Sequence, residues 1–171
     1  MKRYVALLRA VNVGGTGKLA MSDLRRICEE SGGSQVETYI ASGNLIFASR
    51  GAESTVKHRL VSALSAHTGK AVGVILRSAA ELAAVHANNP FPDAPPNRTM
   101  VLFLDAPPVE TDLTSVSGRA DEQLHLGTRE IYILYGPAGV GSSKLRIAAA
   151  RQGTARNMNT VAKLAELAAA R

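Results

Sequence analysis

Cysteine is nearly absent from this chain. Cys28 alone excludes an intrachain disulfide and any metal centre built from several thiolates. Tryptophan is missing and aromatic residues make up 4% of the 171 positions, so few rings are on hand to stack nucleic-acid bases. The longest apolar runs are strand-sized, far below the roughly 20 residues of a membrane span. The opening MKRYVALLRA sets a basic pair before an apolar run, but Arg9 interrupts that run too early for a signal-peptide core and no small-residue cleavage site follows. A cytoplasmic protein without a membrane segment is expected. The four histidines, His58, His67, His86 and His125, are scattered with no partner at metal-ligand spacing. No G-x-S-x-G elbow presents a serine nucleophile.

What is present is an ordinary globular composition, 46% apolar and 20% charged, long enough for one sizeable core or two small units. The charge is unevenly spread. Residues 1–77 hold 11 Lys and Arg against 5 Asp and Glu, residues 78–139 hold 3 against 8, and residues 140–171 hold 6 against 1. Basic ends around an acidic middle suit an anionic partner, or pairing of the blocks across the fold.

The hydrophobic pattern orders the elements. Residues 4–8 read as a strand covered on both faces. Ser22 is placed to cap a helix with Leu24, Ile27 and Cys28 on one side, ended by Gly32 and Gly33. Val36, Thr38 and Ile40 alternate toward the turn ASGN and a second strand, LIFAS, predicting a hairpin. Ser54 is placed to cap a helix striped with Val56, Leu60 and Leu64, and Val72, Val74 and Leu76 alternate as a strand. Residues 1–77 thus read β-α-β-β-α-β. In residues 78–171 the spacing SAAE predicts a capping box, NNPFPDAPP ends that helix, and TMVLFLD, a short helix near 109–116, QLHL and EIYILY continue the order. Helices are expected at 143–150 and at the C-terminus, with Val161, Leu164 and Ala168 on one face. The fold class expected is α/β (α+β): two ferredoxin-like β-α-β-β-α halves packed together, 1–77 and 78–171, the second with the terminal helix.

The stretch YGPAGVGSSK, 135–144, spaces Gly136 and Gly141 as a phosphate loop would. Ser142 nevertheless stands at the lysine position and Lys144 comes two residues late, which argues against nucleotide hydrolysis there. An RNA-binding reading would rest on Tyr4, Phe47 and Tyr39, and SGNLIFAS fits the required aromatic motif poorly. There remain short polar and basic residues at element ends: Arg9, Asn12, Gly14, Gly15 and Lys18 after the first strand, Ser42 and Asn44 at the hairpin, Lys144 after the glycine-rich loop, and Arg156, Asn157 and Asn159 ahead of the last helix. A helix start carries unpaired N–H groups and partial positive charge, so an arginine beside it wants an answering anion. That anion is either a ligand or a carboxylate such as Asp23 or Glu166, with Asn159 as a plain N-cap.

LLRAVNVGGTGKLAMSDLR, TYIASGNLIFAS, NPF, SKL and TARNMNTVAKLAEL together resemble the bacterial domain of unknown function 1697 family over nearly the whole chain. The resemblance implies an α/β protein of two ferredoxin-like parts and accounts for GPAGVGSSKL as the family's loop before Ser-Lys-Leu. It implies no activity. Many members have Gly where Ala10 stands and Trp where Met158 stands, and loss of the indole removes a flat surface beside Arg156. The function expected is binding of a small anionic ligand, a phosphate or nucleotide, where the two halves meet. An enzyme acting on a small phosphorylated or nucleotide substrate, and an RNA-binding or partner-binding structural module, are the alternatives. The residues name no cofactor and no oligomeric state.

Overall fold

The computed structural model describes residues 1–9, 19–40 and 43–170. The chain divides into two compact units, Met1–Leu82 with Leu164–Arg171, and Ala83–Lys163. The protein is a mixed α+β chain, with five α-helices and antiparallel sheets among the described residues.

The first unit runs β1 (Lys2–Arg9), α1 (Met21–Glu30), β2 (Ser34–Thr38), β3 (Asn44–Ser49), α2 (Glu53–Thr68) and β4 (Gly73–Ser78), and opens α3 (Ala79–Ala87). Its antiparallel sheet has the order β2-β3-β1-β4. Strand alternation sends Tyr4, Ala6, Leu8, Leu45, Phe47, Val74 and Leu76 into one core with Leu24, Ile27 and Cys28 of α1 and Val56, Leu60 and Leu64 of α2. Val5, Leu7, Ile46 and Ile75, on the other face, are buried as well. Double coverage explains why β1 and β3 read as unbroken apolar runs.

Several local expectations change. Helix α1 starts at Met21 and α2 at Glu53, entered through the extended backbones of Ala20 and Ala52, and no side chain caps either helix. Ser22 and Ser54 therefore lie inside first turns. The entries are set by the buried residues: the Leu24 and Val56 N–H groups donate to the Ala20 and Ala52 carbonyls, each at 3.0 Å. Strand β2 ends at Thr38, and Ile40 stands outside it, exposed, with φ +50°. Cys28 is buried, and its thiol is pushed up to about 12 by burial and by Glu29, which makes it inert at neutral pH. The predicted capping box is present: the Glu81 N–H donates to Ser78 Oγ at 3.1 Å, and the Ser78 N–H to Glu81 Oε1 at 3.0 Å.

The second unit continues through α3 to β5 (Thr99–Phe103), α4 (Glu110–Thr114), β6 (Val116–Ser117), β7 (Gln123–Leu126), β8 (Glu130–Leu134), β9 (Arg146–Ile147) and β10 (Thr154–Asn157), and enters α5 (Met158–Ala169). The main sheet has the order β10-β5-β8-β7, and β6 pairs with β9 as a separate ribbon. The helix expected at 143–150 is absent. Two short 3-10 turns, Val140–Ser142 and Ala148–Gln152, flank β9 instead. Arg146 and Ile147, in the middle of that segment, are taken up in strand pairing with Ser117 and Val116, which a helix there would forgo. Gly153 lets β10 approach β5, since a Cβ there would stand 2.5 Å from the Phe103 carbonyl oxygen. Leu102, Leu104, Ile131, Ile133 and Leu145 form this unit's core cluster. On the opposite face the Tyr132 hydroxyl donates to the Val85 carbonyl at 2.7 Å, and burial raises its pKa.

The two sheets share a residue-level correspondence that the sequence does not display. Val5 on β1 faces Ile46 on β3 and Arg77 on β4, while Val101 on β5 faces Tyr132 on β8 and Arg156 on β10. Both arginines are buried, 1% and 7% exposed, and each directly precedes a side chain that caps the next helix.

Candidate functional site

Of the residues singled out in the sequence, Asn12, Gly14, Gly15, Lys18 and Ser42 lie outside the described residues. Arg9 ends β1 opposite Gly73, half-buried, with its stem against that glycine. Asn44 is fully buried and its Nδ2 donates to the Tyr39 carbonyl at 2.9 Å, closing the hairpin. Arg156 donates through Nη1 to Thr154 Oγ1 at 2.6 Å and to the Ala155 carbonyl at 3.0 Å, and burial lowers its guanidinium to about 10. Asn157, and not Asn159, caps α5: its Oδ1 accepts the Thr160 N–H at 2.9 Å, while Asn159 is exposed within the first turn. Asn157→Ala is therefore expected to lower stability by about 1 kcal/mol and Asn159→Ala to change it by less than about 0.5 kcal/mol, read from denaturant midpoints. Equal effects would remove the capping assignment. Tyr4 and Phe47 are both buried in the core shared with α1 and α2, ring centroids 5.9 Å apart, and so cannot stack bases.

Lys144 has a different setting. It is exposed and lines a cavity of about 500 Å³ together with Asp121, Glu122, Gly136, Ser142 and Ser143. One wall is the loop between β6 and β7, and the other is the glycine-rich loop between β8 and β9. The β6–β9 ribbon, with Val116 opposite Ile147 and Ser117 opposite Arg146, draws the two loops together. The 3-10 turn Val140–Ser142 leads into β9 and not into a long helix, so this loop lacks the helix start of a phosphate loop.

Glu122 braces the cavity. Its Oε2 accepts the Ser143 hydroxyl at 2.5 Å, its Oε1 the Ala120 N–H at 2.6 Å, and its carbonyl the Arg119 Nε at 3.0 Å. The Ser143 bond first, and the Ala120 N–H second, hold the carboxyl below its ordinary pKa. So held, the Glu122 carboxylate ties the Ser143 hydroxyl of one loop to the Ala120 N–H of the other. A depressed folded-state pKa contributes stability above the unfolded carboxylate pKa and loses it as pH falls through the folded value. The wild type is thus expected to lose more stability between pH 6 and pH 3 than Glu122→Gln, comparing melting temperatures. Parallel losses would show the brace to be energetically silent.

The side chains of Asp121, Ser142 and Lys144 make no hydrogen bond or ion pair to any of the described residues. Of the residues lining this cavity, the sequence reading proposes Lys144 for a site and does not include Asp121, Glu122, Ser142 or Ser143. Only the ribbon pairing carries residues 117–122 to the glycine-rich loop. Among the described residues no group of three or more His, Cys, Asp or Glu is placed to hold a metal, and no helix is long and apolar enough to cross a membrane.

In structure, the chain is similar to a conserved bacterial protein from Streptococcus pneumoniae, with a TM-score of 0.79 and 24% sequence identity over 98% of each chain. At that identity the similarity establishes the shared fold alone. No curated protein matches the chain. The family model described as a protein of unknown function, DUF1697, matches residues 1–132, which takes in the whole of β1 to β7 and most of β8. On that match the chain belongs to the DUF1697 family.

Proposed function

We propose that this chain is a binding protein for a small molecule carrying an anionic group, and that the group is received by Lys144. The observation that carries the reading is an ammonium without a protein partner among the described residues, lining a cavity of about 500 Å³. Ligand sites commonly span about 300–1,000 Å³ and use a few polar groups to orient what they hold. The ligand-binding role for Lys144 is also the one proposed from the sequence, where Arg9, Arg156 and the asparagines were grouped with it. A thermal-shift series with inorganic phosphate, a nucleoside monophosphate and an amino acid tests the reading. A ligand-dependent rise in melting temperature that disappears in Lys144→Ala supports it, and no rise with any of the three, or a rise unchanged in Lys144→Ala, rejects it.

We further propose that the chain is built of two ferredoxin-like halves. Both main sheets run fourth-first-third-second in the order of their own strands, as in two ferredoxin-like halves, the second with 3-10 turns where its second crossover helix would be. A second reading, a structural or partner-binding module, is favoured by the protein-directed bonds of Asn44, Arg156 and Asn157.

A further inference from the structure

We infer that the cavity beside Lys144 recognises a zwitterion, a small molecule whose anionic group meets Lys144 and whose ammonium group meets Asp121. This rests on the binding reading above and narrows its ligand class.

Three charged side chains line the cavity: Asp121, Glu122 and Lys144. Both Glu122 oxygens are already occupied, one by the Ser143 hydroxyl and one by the Ala120 N–H. Asp121 is the carboxylate left over. It and Lys144 border the same space, yet no ion pair joins them among the described residues. A plain anion entering this space would meet two carboxylates and a single ammonium, and a plain cation would meet Lys144. A molecule with both charges satisfies each side chain with its opposite.

Backbone close approaches place the Asp121 carboxylate and the root of the Lys144 side chain. The Asp121 carboxylate lies against Gly136, in the space that a Cβ at 136 would fill. Gly118, at φ +68°, packs directly on the carbonyl of Lys144 and so fixes where that side chain leaves the backbone. A carboxylate positioned before the ligand arrives costs little ordering on binding, while the Lys144 stem leaves its ammonium free to reach the ligand's anionic group. The exposed Ser142 adds a neutral donor and acceptor on the same lining. The volume admits molecules of the size of an α-amino acid or an aminoalkyl phosphate with room to spare.

Calorimetric titration of the full chain tests this with the zwitterions phosphoethanolamine, β-alanine and serine, the anion inorganic phosphate and the cation ethanolamine. At least one zwitterion is expected to bind about tenfold or more tightly than phosphate or ethanolamine, and Lys144→Ala and Asp121→Asn are each expected to weaken it about tenfold. Both side chains are exposed, so unchanged melting curves will confirm that the variants fold. Phosphate binding as tightly as every zwitterion, with Asp121→Asn silent and Lys144→Ala damaging, would overturn the zwitterion and leave the anion reading standing. Ethanolamine alone binding, or no probe binding at millimolar concentration, would overturn both.

Discussion

Replacing Gly118 with alanine is expected to lower the unfolding free energy by about 3 kcal/mol, the scale of a severe backbone and overpacking penalty. Two costs combine. At φ +68° an L-residue is held in the left-handed region, which costs about 1 kcal/mol or more. The new methyl would also overlap the carbonyl oxygen of Lys144 and stand 2.7 Å from its carbonyl carbon. These are backbone atoms of a strand entry, and the pairing of Ser117 with Arg146 next door keeps them from withdrawing. Gly141 is the control: a Cβ there meets nothing within 4 Å, so Gly141→Ala is expected to shift stability by less than about 0.5 kcal/mol. Guanidinium unfolding midpoints decide the matter. If Gly118→Ala unfolds with the wild type, the two loops are not apposed and the wall of the Lys144 cavity is misplaced.

Arg156→Ala is expected to cost about 2–4 kcal/mol, and Arg156→Met to recover at least half of that loss. The reasoning separates the stem of the side chain from its charge. Arg156 is 7% exposed, so its alkyl chain fills volume on the buried face of the second sheet, and truncation leaves a cavity. The guanidinium pulls the other way. Burial lowers its pKa to about 10, so the charged form is disfavoured in the folded state. Below that pH both folded and unfolded chains carry the proton, and folding bears the full desolvation cost. As pH rises through about 10 the folded chain releases its proton first and the cost falls. Methionine keeps the volume and removes the cost at every pH, though it gives up the bonds to Thr154 and to the Ala155 carbonyl. Unfolding both variants at pH 7 distinguishes the terms, and a methionine variant no better than alanine would mean that the hydrogen bonds dominate.

Much of the first unit was legible because its signals are local. Leu24, Ile27 and Cys28, and Val56, Leu60 and Leu64, recur at helical spacing and are the buried positions of α1 and α2. Ser78 and Glu81 announced their capping box by spacing alone. The continuous apolar runs of β1, β5 and β8 were readable for the same reason. Strand β10 was not, because of its four residues the two buried ones are Thr154 and Arg156, and a polar strand looks like a loop until its partner β5 is known. Nor was the α5 cap, since Asn157 and Asn159 are chemically alike and only the helix start tells them apart.

The family match and the local pattern agree on what short-range chemistry can encode: which segments are strands, which are helices, and where several of them stop. Whether a charged side chain is buried like Arg156 or faces an open cavity like Lys144 is not encoded within a few residues. That follows from which distant strands pair, and the two-residue ribbon of β6 and β9 is what sets Asp121 and Lys144 on one cavity. Desolvation and ionic attraction act between groups near in space, however far apart they lie along the chain.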